Sequence, residues 1–411
     1  MSYAWYVGID WGTALHQVTV LDPERRVVNE QKVAHRGEAL AELVTALATQ
    51  CAGDPSRVAV AIEVPRGTVV ETLVEHGFHV FAINPKQLDR FRDRFTMAGA
   101  KDDRRDAFVL ATSLATDPAA FRRVHLDDPL VIRLRELSRL EEELQHEFTR
   151  LTNRLRDQLH RIYPQVLALS PAVDEPWIWA LLDLAPTPAA AAQVTRPAVS
   201  DLLRRHRIRR VTAAEVLATL QTPPLWVAPG TLEAVSEHIE SLLPRVRLVH
   251  DQRARTLRRL EQVLESMAAD QPGQPGEQRD VTILRSLPGV GRQVAATLLA
   301  EAAPLLAQRD YHALRTQGGI APVTRQSGKR AYVDMRYGCN QRLRLALYHW
   351  GRVSVQVDDH SRQHYDRLRQ RGHSHGRALR GVVDRLLAVL MAMLTHQTPY
   401  DPTRRHAASP A

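Results

Sequence analysis

The sequence predicts an α/β domain, then a long helical middle, then a second and mainly helical domain. Three observations carry this. Apolar runs ending in acids alternate with helical patterns as far as Asn84-Pro85. Apolar residues, mostly leucines, then recur at gaps of three and four from Leu130 to Ile162. A Pro- and Gly-rich linker, Asp270–Gly276, finally sets off a last domain. The corresponding boundaries are 1–125, 126–270 and 277–398, with a Pro-, Arg- and Ala-rich tail, 399–411, expected to be disordered.

Residues 4–10 read as a buried strand ending in Asp10, with Trp11-Gly12-Thr13 as a turn. His16–Leu21 and Arg26–Val33 continue as strands, and the three make an antiparallel meander. Gly37–Gln50 has helical periodicity. Arg57–Ile62 is a second buried strand, again followed by an acid, Glu63. Gly67–His76 is helical, Phe78–Ile83 a strand, and Asn84-Pro85 opens a further helix. This order implies a partly parallel sheet, whose ligands gather at the carboxyl ends of the strands. Phe95–Ala100 reads as a loop, and a helix begins near Asp103.

The pattern from Leu130 is a long amphipathic helix stopped by Tyr163-Pro164. A second runs from Leu232 to Met267 with Pro244 inside it. It can pack back along the first, or both can mediate dimerisation. Short helices with Pro-rich joints fill 171–229. In the last domain, Pro288-Gly289-Val290-Gly291 separates two helical stretches. Residues 311–340 read as Gly-rich and irregular, and Arg342–Val355 and Ala378–Leu394 as helices.

The 411 residues carry a net charge of +9, which points to a polyanionic partner, nucleic acid being the commonest. Two cysteines exclude a disulfide framework or a Cys-based zinc site. With no apolar run of membrane-spanning length and no charged-then-apolar leader, the expected location is the bacterial cytoplasm, away from membranes.

Lys101-Asp102-Asp103-Arg104-Arg105-Asp106 packs three acids and three cations into six residues. Asp103 and Asp106 share a helix face. A facing carboxylate pair is what a hard divalent cation needs, although a solvated turn capping a helix uses the same residues. Asp10 and Glu63 at strand ends complete an acidic set able to serve an in-line phosphoryl displacement. The order strand-Asp, strand-Glu, helix Asp-x-x-Asp matches an RNase H-like nuclease architecture. The Pro288–Gly291 turn resembles a helix-hairpin-helix turn. Gly289 and Gly291 let backbone approach a phosphate, or form an ordinary tight turn; the basic surplus favours DNA. Gln326-Ser327-Gly328-Lys329-Arg330 places a hydroxyl beside two cations, but no base stands next to it, so in isolation it reads as a loop serine. His360, His364, His373 and His375 lack further ligands for zinc. Arg367, Arg369, Arg371 and Arg377 read as a phosphate-contacting surface.

Together these residues resemble the DEDD transposases and recombinases of insertion sequences, which are related to the Piv-type invertases and include the bridge-RNA-guided serine recombinases. The N-terminal motifs are Gly8-Ile9-Asp10, Ile62-Glu63, Asn84-Pro85 and Lys101-x-Asp103-x-x-Asp106-Ala107. The C-terminal ones are Leu287–Gly291, Gly318–Pro322, Gln326–Lys329 and Gly338-x-Asn340-x-x-Leu343-Arg344. The resemblance implies a RuvC-like N-terminal domain in which Asp10, Glu63, Asp103 and Asp106 bind Mg²⁺ or Mn²⁺. It implies a C-terminal transposase domain that supplies Ser327 as a nucleophile joined transiently to DNA. It further implies a coiled-coil middle, a homo-oligomer (a dimer, or a tetramer on DNA), donor and target DNA as substrates, and a guiding noncoding RNA. Lys101, Gly289, Gly291, Arg325, Lys329, Arg330, Asn340 and Arg344 would contact nucleic acid. Asp102 stands where the family has a small or hydroxylated residue, and Asp106-Ala107 fixes the register on Asp103. The alternative is a metal-dependent, structure-specific endonuclease with no covalent serine intermediate. A DNA-binding protein without catalysis is disfavoured, because all four acids are present.

Overall fold

The computed structural model describes residues 3–94, 102–125, 127–228, 230–269, 277–327 and 330–403. The loop expected at Phe95–Ala100, the linker Asp270–Gly276, Lys101, Gly328, Lys329 and the tail beyond 403 lie outside the described residues. The chain divides into two compact units, Met1–Asp127 and Asp128–Ala411.

In the first unit, β1 (Trp5–Asp10), β2 (Leu15–Leu21) and β3 (Val27–Ala34) form the expected antiparallel meander. After α1 (Gly37–Gln50), β4 (Val58–Ile62) returns parallel to β1. Following α2 (Thr68–Glu75), β5 (His79–Ala82) lies parallel to β4. Then come α3 (Pro85–Arg92), α4 (Asp103–Thr116) and a short antiparallel edge, β6 (Arg122–Arg123). The strand order is β3-β2-β1-β4-β5-β6. Alternation along the strands sorts the core into two layers. Val7, Ile9, Val58, Val60 and Ile62 pack with α1 and α2. Ala59 and Ala61 face the other way, onto Val109, Leu110 and Leu114 of α4. Gly8 shares that second face. A Cβ there would stand 1.9 Å from the Ala107 carbonyl oxygen, so glycine lets α4 lie directly on the central strand.

In the second unit, α5 (Pro129–Ile162) is one 34-residue helix. After α6 (Pro164–Leu169), which lies before the range expected to hold short helices, the expected ones are α7 (Pro176–Leu184), the brief α8 (Pro188–Ala191), α9 (Arg196–Arg205) and α10 (Ala213–Leu220). The return helix, α11 (Thr231–Ala268), continues through Pro244. It packs along α5 within the same chain, which answers whether the two helices associate internally. The pairing is antiparallel: Leu144–Ile162 share a core with Val235–Val249. Val131 and Leu134 share another core with Leu260–Met267 and the C-terminal helices.

Beyond the linker stand α12 (Glu277–Ser286), α13 (Arg292–Ala307), α14 (Tyr311–Gln317), α15 (Gln341–Val357), α16 (Asp359–Gln370) and α17 (His375–His396). Two expectations need correction here. Residues 311–340 are not irregular: they hold α14 and an antiparallel hairpin of β7 (Val323–Ser327) and β8 (Arg330–Asp334). The hairpin strands are rich in polar residues and lack the apolar alternation that marks a half-buried strand. The tail does not loosen at 399. Tyr400 packs against the C-terminal core and its backbone N–H donates to Ser286 Oγ at 2.8 Å.

Candidate functional site

The acidic set can be built from strand registers. Ile9 pairs with Ile62 across parallel β1 and β4, so Asp10 and Glu63 are the next residue on each strand. Alternation then turns both toward α4, on the face that carries Gly8, Ala59 and Ala61. Helix α4 delivers Asp106 to that face in its first turn, 1% exposed. Asp103 lies three residues earlier on the helix and is exposed. Asp102 caps the helix, its side chain accepting from the Arg104 backbone N–H at 3.3 Å. That is the capping role open to it in the sequence. Arg104 in turn pairs with Glu30 of β3. After Asp10 the chain turns sharply, and the Gly12 N–H donates to Nδ1 of buried His16 at 3.4 Å. Burial, then the nearby His35, holds the His16 pKa below its ordinary value.

Sequence reasoning missed the residue that ties the acids together. Arg92, at the end of α3, donates through Nε to one Asp106 oxygen at 2.7 Å and through Nη2 to the other at 2.9 Å. The same Nη2 stands 3.8 Å from Glu63 Oε2, and Nη1 reaches Asp89 at 2.5 Å. Burial alone would lower the Arg92 pKa, but the hydrogen bonds and charges of Asp106 and then Asp89 together outweigh it and raise the pKa. The carboxylates of Glu63 and Asp106 therefore converge closely enough to share one cation. Their oxygens are hard donors, the set that suits a small divalent ion. Nothing in Phe91-Arg92-Asp93-Arg94 distinguishes Arg92 from its charged neighbours, and only the tertiary fold does.

Ser327 ends β7 and pairs with Arg330 across the hairpin; Arg325 pairs with Tyr332. Lys101 and Lys329 lie outside the described residues. Gly289 has φ +78°, and a Cβ on it would stand 2.6 Å from Ser354 Oγ. The Pro288 carbonyl also accepts from Trp350 Nε1 at 3.0 Å and Ser354 Oγ at 2.8 Å. Packing against α15 thus accounts for this turn without a phosphate. Gly291 begins α13 in extended backbone with open space around it. Asn340 spends its amide inside the protein: its oxygen caps α15 through the Leu343 N–H at 3.1 Å, and its nitrogen donates to Glu301 at 2.7 Å. Arg344 crosses Gly319 and donates to the Arg336 carbonyl. Among the described residues no cluster of three or more His, Cys, Asp or Glu is already gathered as a metal group. No helix among them is long and apolar enough to cross a membrane.

Two family models match the chain. The DEDD transposase model of the IS110 group covers residues 7–164, and the model described as the transposase IS116/IS110/IS902 family covers 281–366. A putative transposase of Sinorhizobium fredii, y4uE, is 52% identical over 209 residues, 51% of this chain and 58% of that relative. The mini-circle putative transposase for IS117 of Streptomyces coelicolor is 28% identical over 98% of this chain and 96% of its own length. An uncharacterised 44.8 kDa protein of insertion element IS116 from Streptomyces clavuligerus is 29% identical over 97% of this chain and 96% of its own.

Proposed function

The chain belongs to the IS116/IS110/IS902 transposase family, and on that premise we propose that it is a site-specific DNA recombinase of an insertion sequence with an RNase H-like, RuvC-like first domain. The observation that carries this reading is the convergence of Glu63 and Asp106 on one cation, at the strand ends where Asp10 also stands. Asp10, Glu63, Asp103 and Asp106 would hold Mg²⁺ or Mn²⁺. Such an ion, when bound, offsets the negative charge that builds on a phosphate under attack. Arg92 competes for the same oxygens, and Asp89 offers its guanidinium another carboxylate.

Ser327 is the nucleophile. Its Oγ forms a bond to the phosphorus of a DNA phosphodiester, its proton passes to water, and the bond from phosphorus to the leaving sugar oxygen breaks. The ester keeps the bond energy. A sugar hydroxyl from a second DNA end attacks the same phosphorus and frees the serine. Arg325, Lys329 and Arg330 sit within three residues of Ser327 and would steady the phosphate. Donor and target DNA are the substrates, a noncoding RNA of the element selects them, and the chain works as a homo-oligomer.

The test is to incubate the full-length protein with its native flanking DNA and RNA in Mg²⁺ and look for a denaturant-resistant protein–DNA adduct. Wild type forms it and Ser327→Ala does not. A Ser327→Ala protein that still cuts DNA would support the structure-specific endonuclease instead.

A further inference from the structure

Most half-buried arginines of the second unit close on a carboxylate. Arg253 holds Glu141 at 2.8 Å, Arg309 holds Asp280 at 2.5 Å, and Arg315 holds Asp384 at 2.5 Å. Three half-buried arginines in one place, Arg336, Arg344 and Arg380, depart from this, and the exposed Arg377 stands with them. Arg336, Arg344, Arg377 and Arg380 make no ion pair among the described residues. They meet around a cavity of about 540 Å³ between the base of the β7–β8 hairpin and helices α16 and α17.

Arg336, Arg377 and Arg380 line the cavity, and Arg344 stands behind them. Among the described residues Arg380 donates a weak bond, Nη1 to the Met335 sulfur at 3.3 Å, and no other. Nε of Arg344 is buried without a partner. The walls also carry two acids, and neither answers these cations. Asp384 is taken by Arg315, and Asp334 accepts the Met335 backbone N–H at 3.0 Å. Burial, then the charges of Arg344 and Arg377, depresses the Arg380 pKa, as expected for cations crowded without an anion.

We propose that this cavity binds a backbone phosphate of the DNA strand that Ser327 engages, with Arg377 and Arg380 as its direct contacts. The proposal rests on the recombinase reading above. A guanidinium cluster not paired with a carboxylate is stabilised by an incoming anion, and arginine's planar fork suits phosphate. The position fits a nucleic acid. Val323 at the hairpin base and Ser327 at its end are four strand residues apart, about 13 Å at the usual rise. That distance is spanned by a few nucleotides of one strand. Exposed Tyr332 and Tyr337 stand in the chain on either side of the lining segment 333–336 and offer ring faces to sugars or bases.

The test is fluorescence anisotropy with a duplex of the native flanking DNA, titrated from about 50 to 200 mM salt, where each lost phosphate contact lowers the log–log slope by about 0.9. Arg380→Gln and, separately, the exposed Arg377→Gln should each flatten the slope by about that amount. Arg380→Lys should keep it, and Arg204→Gln on α9 should leave it unchanged. Melting curves of each variant show whether the fold is intact, and Arg377→Gln carries the test if Arg380→Gln does not fold. Unchanged slopes in a folded variant, in a protein that still forms the serine adduct, overturn this proposal alone. A change seen with the element's RNA and not with DNA also overturns it. Wild type that shows no salt-dependent DNA binding sinks both this and the recombinase reading.

Discussion

The acidic end of the N-terminal sheet and the arginine cavity under the C-terminal hairpin hold their charge in opposite ways. In the first, the chain supplies its own counter-ion: Arg92 answers Asp106 with two hydrogen bonds and stands beside Glu63. In the second, Arg377 and Arg380 make no ion pair with a carboxylate among the described residues. The difference bears on what each place must do to take a ligand. A cation entering the acidic end exchanges with a resident charge, so its binding is weakened by whatever Arg92 loses. An anion entering the arginine cavity displaces nothing charged, and relieves repulsion instead. One place is self-neutralised and the other is poised.

Substitutions can break or sharpen that contrast. The largest effect is expected from Asp106→Asn, which keeps the shape but removes the charge. Strand exchange, followed on the native DNA, should fall by roughly 10³-fold or more. Gly8→Ala comes next, because its methyl would overlap the Ala107 backbone. Lifting α4 from the sheet should cost about 3 kcal/mol or more in a denaturant melt, and should also weaken Mn²⁺ binding. Arg92→Ala tests the resident counter-ion directly. Leaving Asp106 buried and unpaired should destabilise the metal-free protein by about 2–4 kcal/mol. Calorimetry should then find Mn²⁺ bound about tenfold more tightly, and Mn²⁺ should raise the melting temperature more than in wild type. Unchanged Mn²⁺ affinity would mean that Arg92 and the ion do not compete.

The smallest effect is one of pH. Burial, followed by neighbouring arginines, holds His79, His349 and His364 below their ordinary pKa. Each folded pKa lies under the unfolded value of about 6.5, so the unfolded chain binds protons first. Their contribution is complete above that value and is lost as pH falls toward the folded pKa. Melting temperatures should therefore decline between pH 7 and pH 5, and His364→Asn should reduce the decline.

The meander, the parallel strands and the two long helices were legible in the sequence because each obeys a single period over its length. The placement of Asp10 and Glu63 at strand ends was legible for the same reason. Asp106 was legible through its i,i+3 partner and the apolar run after it. Arg92 was not, since its meaning comes from α3 folding beside α4 and no local pattern encodes that. The arginine cavity escaped for a similar reason: Arg336, Arg344, Arg377 and Arg380 come from three separate segments. Arg377 was read as part of a basic surface, but Arg380 sits inside an apolar helical pattern and drew no notice. The β7–β8 hairpin was hidden by its polar composition. Tyr332-Val333 shortly after Ser-Gly-Lys was its one available signal in the sequence.

The long helix α5 passes through both hydrophobic cores of the second unit without a break. Between them, its Glu141 is fastened to Arg253 of α11 at 2.8 Å. Thirty-four residues make a rod about 50 Å long. Such a rod transmits torque. The cap of short helices at its far end cannot twist relative to the foot without unwinding a helix or shearing the paired one. A force applied at the cap is therefore felt at the foot, where Val131 and Leu134 share a core with the C-terminal helices.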